Sequence, residues 1–140
     1  MATNISRVTI NATTQKVWDT LTKPELVKLW QYGSDLQTSW EVGSKIKFET
    51  KWEDKVFEQW GTVLEFTPMT KLRYSLFAPR PDLEDKPENY FEMIYALTNN
   101  NGQTQLEIIQ EDNRPNAVQE NEQGEDNPIL KMLKEITETN

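Results

Sequence analysis

The stretch Asn127-Pro128-Ile129-Leu130-Lys131-Met132-Leu133-Lys134-Glu135-Ile136-Thr137 decides how the rest of the chain is read. Ile129, Leu133 and Ile136 recur at helical spacing, and Leu130 and Met132 widen the stripe into a broad apolar face. Asn127 is suited to cap the first turn, and Pro128 to the first helical position, where a missing N–H costs nothing. Lys131 and Lys134 lie toward the end of the helix whose dipole favours cations. A helix this short does not hold together alone in water, so its stripe must be buried against something else. Nearly everything before it reads as sheet, and the expected partner is a curved sheet that grips the helix.

Working back to the start, Ile5 and Arg7-Val8-Thr9-Ile10 alternate as a first strand. The period then changes. Thr13 or Thr14 can cap a helix carrying Val17, Trp18 and Leu21 on one face. Thr22-Lys23-Pro24-Glu25 has the spacing of a capping box, opening a second short helix with Leu26, Leu29 and Trp30. Tyr32-Gly33-Ser34-Asp35 ends the pair. Leu36 to Trp40 follows as a short strand, and Glu41-Val42-Gly43-Ser44 as a turn. Ile46, Phe48, Thr50 and Trp52 alternate with charged residues from Lys45 to Glu53, the cleanest period-two segment of the chain.

A hairpin at Trp52–Val56 returns through Phe57 to Phe66, with Trp60, Val63, Leu64 and Phe66. Leu72, Tyr74 and Leu76 continue the sheet after Thr67–Lys71. Residues 79–87 form a long polar loop with three prolines. Phe91, Met93, Tyr95 and Leu97 make another strand, Asn101-Gly102 is a hairpin signal, and Leu106, Ile108 and Ile109 return. The acidic stretch Glu111–Asp126 reads as a loop with a helical turn around Ala117–Glu122. The order is one strand, two short helices, an antiparallel meander of about six strands and a terminal helix. It reads as a single α+β domain over residues 1–140.

Composition narrows the function classes. The chain of 140 residues has no Cys and no His. Thiolate nucleophiles, Ser-His triads and His- or Cys-ligated zinc are therefore outside its chemistry. Any catalysis would rest on carboxylates, Lys, Tyr, hydroxyls or bound water. A net charge of −8 argues against nucleic acid and anionic membrane surfaces as partners. No Gly-rich phosphate loop and no metal-ligand spacing occurs, so no cofactor and no metal are expected. The first residues lack the apolar run of a signal peptide, and the expected location is the cytoplasm.

The order of elements resembles the helix-grip, or START-like, fold of the SRPBCC superfamily: a curved antiparallel sheet of 6–7 strands around a C-terminal helix. Within it the sequence resembles the family named for the activator of the heat-shock protein 90 ATPase, in its small bacterial single-domain form. The residues that carry the likeness are Ile10-Asn11-Ala12-Thr13, Val17-Trp18-Asp19-Thr20-Leu21-Thr22-Lys23-Pro24-Glu25-Leu26 and Leu29-Trp30. Gly43, Gly61-Thr62-Val63, Glu65, Pro68, Leu72-Arg73-Tyr74, Gly102, Thr104 and Leu106 fit its later strands and turns. The resemblance implies a cavity between sheet and helix, which holds lipids, sterols or polyketides in some relatives and serves catalysis in others. The family's eukaryotic namesake stimulates a chaperone's ATPase.

On that basis Trp30, Phe48, Trp52, Trp60, Tyr74, Phe91, Met93, Tyr95 and Leu133 are the candidate pocket lining. The same residues are what a filled core would show. No catalytic residue is assigned. Glu58 shares the parity of Trp60, Leu64 and Phe66 if no bulge intervenes, and an inward carboxylate there would serve an enzyme; a bulge or a pocket-mouth position is the plainer account. Glu92 and Glu107 belong to the solvated face. Arg73 is either a pocket-rim partner for a carboxylate or an exposed strand residue. Three functions stay open: a binding module for a small apolar or amphipathic molecule, a co-factor of a chaperone, and a carboxylate-based cyclase or hydrolase. The first is preferred.

Overall fold

The computed structural model describes residues 2–115, 117–124 and 126–139. Among these residues seven antiparallel strands form one sheet in the order β1-β7-β6-β5-β4-β3-β2. They are β1 (Ala2–Ile10), β2 (Asp35–Thr38), β3 (Lys45–Trp52), β4 (Lys55–Thr67), β5 (Lys71–Leu76), β6 (Phe91–Asn100) and β7 (Gln103–Asp112). Helices α1 (Thr14–Thr22) and α2 (Pro24–Trp30) follow β1, and α3 (Pro128–Thr139) closes the chain. Asn101 and Gly102, with φ of 53° and 87°, make the two-residue turn between β6 and β7. Such a turn needs positive φ at both positions, which Asn and Gly tolerate.

The anchor helix forms as its sequence dictates, but it is rotated from the expected stripe. Asn127 Oδ1 accepts from the N–H groups of Ile129 (2.9 Å) and Leu130 (3.3 Å), the expected cap. The face turned into the core is Leu130, Leu133 and Thr137, with Ile136 half-buried. Ile129 and Met132 are exposed. Thr137 joins the buried face because its hydroxyl bonds Leu133 O (2.8 Å) and Thr20 Oγ1 (3.1 Å), linking α3 to α1. Leu130 and Leu133 are almost wholly buried, worth roughly 1.5–3 kcal/mol each.

The two short helices also depart from the reading in detail. Thr13 caps α1, its side chain accepting from Lys16 N. Thr22 makes no capping box: its hydroxyl turns back to Trp18 O at 2.8 Å, and α2 starts from Lys23 without a side-chain cap. The buried face of α2 is Val27 and Trp30, while Leu29 is exposed. Trp30 Nε1 donates to Thr20 O (2.8 Å), a bond that fixes its rotation.

A register shift between Val63 and Glu65 places a bulge at Leu64. One extra residue reverses the facing of everything beyond it. Before the bulge Phe57, Gln59, Gly61 and Val63 face inward, opposite Thr50, Phe48, Ile46 and Tyr74; after it Phe66 does, opposite Leu72. Leu64 is therefore exposed, and Trp60 and Glu58 point outward. Residues 117–122 hold no helical turn. The segment instead runs along the open edge of β1, where Gln123 exchanges backbone hydrogen bonds with Ile5 and Arg7, both 2.9 Å. Covering an edge strand in this way removes a row of unpaired groups.

Candidate functional site

A cavity of about 650 Å³ opens between the concave face of the sheet and the first turn of α3. Its wall comes from inward positions at one end of the strands: Asn4 and Ser6 of β1, Phe48 and Thr50 of β3, and Phe57 and Gln59 of β4. Tyr74 and Leu76 of β5, Phe91, Met93 and Tyr95 of β6, and Ile108, Gln110 and Asp112 of β7 continue it. Trp30 and Leu130 enter from the helices. At the other end of the strands the inward positions are Val8, Ile10, Ile46, Val63, Leu72, Leu97 and Leu106, which pack solidly.

Six of the nine residues expected in the wall are there: Trp30, Phe48, Tyr74, Phe91, Met93 and Tyr95. Three are elsewhere. Trp52 sits at the end of the β3–β4 hairpin, opposite Lys55 and two-thirds exposed, beyond the reach of the sheet's curvature. Trp60 lies outside because its parity precedes the bulge. Its ring packs on Phe77 (centroids 5.4 Å apart) and its Nε1 donates to Asp85 (2.9 Å). Leu133 belongs to the filled part of the core. The carboxylates follow the same logic. Glu58 pairs with Lys47 (3.2 Å) on the outer face, Glu92 with Arg73, and Glu107 with Arg7 (2.5 Å). Arg73 is thus an outer-face residue, also 3.4 Å from Glu111, and not a rim ligand.

Sequence reasoning missed the polar half of the wall: Asn4, Ser6, Ser34, Thr50, Gln59, Gln110 and Asp112. The signal was present as parity. Each strand residue among them sits two or four positions from an apolar inward residue, where a filled core would place another apolar one. Ser34 and Thr50 share a hydrogen bond of 2.7 Å, and the hydroxyls of Tyr74 and Tyr95 one of 3.2 Å. Both tyrosines are buried, and burial holds their phenols above the ordinary value, that of Tyr74 well above. Asp112 is buried and takes two bonds of 2.8 Å from Arg114 Nε and Nη2, which hold its carboxyl below the usual range. Arg114 in turn stands 4.6 Å from the centroid of Phe91. The mouth is fringed by Tyr32, Phe57, Val118 and Ile129, all exposed.

A sheet wrapped on a terminal helix over such a cavity defines a helix-grip, START-like protein. Residues 11–138 match the family described as activator of Hsp90 ATPase homolog 1-like protein, and the chain belongs to it. Among solved structures it is similar to ChR145 from Cytophaga hutchinsonii, at 34% identity and TM-score 0.66 over 80% of this chain and 78% of that one. Protein CV1439 from Chromobacterium violaceum shares the fold at TM-score 0.73 and 18% identity, over 99% of both chains. The Aha1 dimer from Colwellia psychrerythraea shares it at TM-score 0.61 and 18% identity, over 84% of this chain and 81% of that one. No curated protein matches the sequence. Among the described residues no helix is long and apolar enough to cross a membrane.

Proposed function

We propose that the protein binds a small hydrophobic or amphipathic molecule, without covalent chemistry, in the cavity between the sheet and α3. The observation that carries this reading is the wall itself: some 650 Å³ bounded by aromatic faces on one part and by uncharged polar groups on much of the rest. Drug-sized ligands occupy sites of that size and character. Glu58 lies on the outer face with Lys47, so a carboxylate enzyme would need another acid, and the wall's Asp112 is held by Arg114. Native mass spectrometry of protein purified from its own source tests the reading, followed by denaturing extraction. A stoichiometric small-molecule adduct is expected, and it is to be lost in Met93→Trp, which fills the wall. A bare mass at every preparation, with no small molecule taken up from extracts, would sink the proposal.

Family membership supports a second reading, a co-factor that stimulates a chaperone's ATPase. The host's own chaperone, assayed with saturating amounts of this protein, is then expected to hydrolyse ATP faster; an unchanged rate removes the idea.

A further inference from the structure

We infer that the cavity admits uncharged amphipathic molecules and discriminates against anionic ones, an inference that rests on the binding reading above. The described residues that line it include no Lys and no Arg, and the chain has no His. The charged members of the wall are Asp112 and Glu120, both negative. An anion inside would therefore lose its hydration without gaining a counter-charge, the costliest exchange a binding site can impose.

Three nearby features could have offered positive charge; Arg80, close enough to Asp112 to lower its carboxyl, pairs with Asp82 (3.9 Å), and the other two are occupied. Arg114 approaches through Phe91, but its guanidinium is held in two-point fashion on Asp112, at 2.8 Å for each bond. The N-terminus of α3 borders the cavity through Asn127, Ile129 and Leu130, where a helix dipole would favour an anion. Its first-turn donors are already used. Pro128 has no N–H, Ile129 and Leu130 donate to Asn127 Oδ1, and Lys131 donates to Asn127 O at 2.9 Å. The arginines of the sheet face away: Arg7 lies between Glu107 and Glu122 (2.6 Å), and Arg73 lies between Glu92 and Glu111.

What remains for a ligand is neutral hydrogen bonding. Tyr74 and Tyr95 have two hydroxyl protons between them, and their mutual bond uses one. The second is free for a carbonyl, ether or hydroxyl oxygen in the cavity. Gln59 and Gln110 add amides of either polarity along the same wall. The overall charge of −8 reinforces the exclusion of anions at long range.

N-phenyl-1-naphthylamine and 1-anilinonaphthalene-8-sulfonate share one aromatic skeleton and differ by a sulfonate, so the pair isolates charge. Both brighten on leaving water and can be titrated by fluorescence at pH 7.5 against the intact chain. The uncharged amine is expected to bind saturably, to be lost in Met93→Trp, and to bind at least about tenfold tighter than the sulfonate. Gln59→Arg, placing a cation in the wall, is expected to narrow that gap. Sulfonate binding within about tenfold of the amine, or a gap unchanged by Gln59→Arg, would overturn charge discrimination while leaving the binding reading intact. An amine that does not bind, or binds equally well to Met93→Trp, would take down the binding reading and this inference with it.

Discussion

Gly61 offers a severe test of the sheet that builds the cavity. It lies on β4 where the strand passes β5, just before the bulge. A Cβ built there meets the backbone carbonyl oxygen of Ser75 at 1.8 Å, its carbon at 2.5 Å and the Cα of Leu76 at 3.1 Å. None of these is the end of a flexible side chain, so Gly61→Ala can be accommodated only by parting the two strands. Opening the closest contact even to 3.0 Å requires a displacement of 1.2 Å. That movement strains the bridge beside it, where Trp60 N donates to Phe77 O (3.2 Å) and Phe77 N to Trp60 O (2.7 Å). Overpacking of this kind costs about 1–3 kcal/mol. Weakening two backbone hydrogen bonds adds about 1 kcal/mol each. A loss of about 4 kcal/mol is expected, lowering Tm by roughly 10 °C or more in a chain of this size. Thermal denaturation followed by far-UV circular dichroism, with urea unfolding beside it, reads both quantities. Gly43→Ala is the control: φ of 90° strains an alanine, but nothing lies within 4 Å, so about 1 kcal/mol is expected. A Gly61→Ala protein that melts no more than about 2 °C below the wild type would refute the close approach of β4 and β5.

Other consequences can be checked in the same preparations. Leu133→Ala leaves a cavity under α3 and is expected to cost about 3 kcal/mol in urea unfolding, whereas exposed Met132→Ala stays within about 0.5 kcal/mol. Glu58→Gln removes a partly exposed outer-face ion pair with Lys47 and is expected to change stability by less than about 1 kcal/mol; a large effect would mean that Glu58 faces the cavity. Asp112 titrates below its ordinary value of 3.8 in the folded state, because of Arg114. Its stabilising contribution is therefore complete above the unfolded value and fades as pH falls through the lower, folded one. Asp112→Asn is expected to be less stable at neutral pH, with a shallower decline in urea midpoint below about pH 4. Tyr74 and Tyr95 run the opposite way: their phenols are raised, so stability is intact below pH 10 and is lost as pH climbs toward the folded values. Tyr74→Phe should reduce that alkaline loss, as alkaline melting curves would show.

How much of this was legible in the sequence depends on which physical signal each element uses. Periods of two and 3.6 survive in the chain regardless of tertiary context, so the seven strands and three α-helices of the described residues could be located, while the single 3-10 turn at Pro87–Asn89 could not. The rotation of α3 could not. Ile129, Leu130, Leu133, Ile136 and Thr137 all fit some helical stripe, and the choice among stripes was made by Thr137 reaching Thr20 on a helix more than a hundred residues away. Trp60 escapes the inward parity for a different reason, and Glu58 points outward as it must where a bulge intervenes. Alternation along β4 is readable only between bulges, and the bulge at Leu64 carries neither Gly nor Pro to mark it. The turn around 117–122 was expected from local propensity, but those residues instead hydrogen-bond with β1. Thr3 N reaches Gln119 Oε1 at 3.2 Å, and Glu120 N reaches Asn4 Oδ1 at 2.7 Å.

The same parity argument explains why a cavity exists where it does. In register, Val8 faces Leu106, and Leu106 faces Leu97; two residues further along the same strands come Ser6, Ile108 and Tyr95, and then Asn4, Gln110 and Met93. Side chains at that end are short, polar or flat, and the helix that would cover them has only begun. Leu130 is the first residue of α3 to point inward, so the filled core ends at its level. Filling the remainder would have required large apolar groups at Ser6, Thr50, Gln59 and Gln110. An open wall follows from those four choices and the late start of α3. Ser6→Leu with Gln110→Leu should therefore shrink the cavity and stabilise the domain while abolishing uptake of the uncharged naphthylamine. If that double variant is less stable than the wild type and still binds the amine, the cavity is not the vacancy that parity makes it.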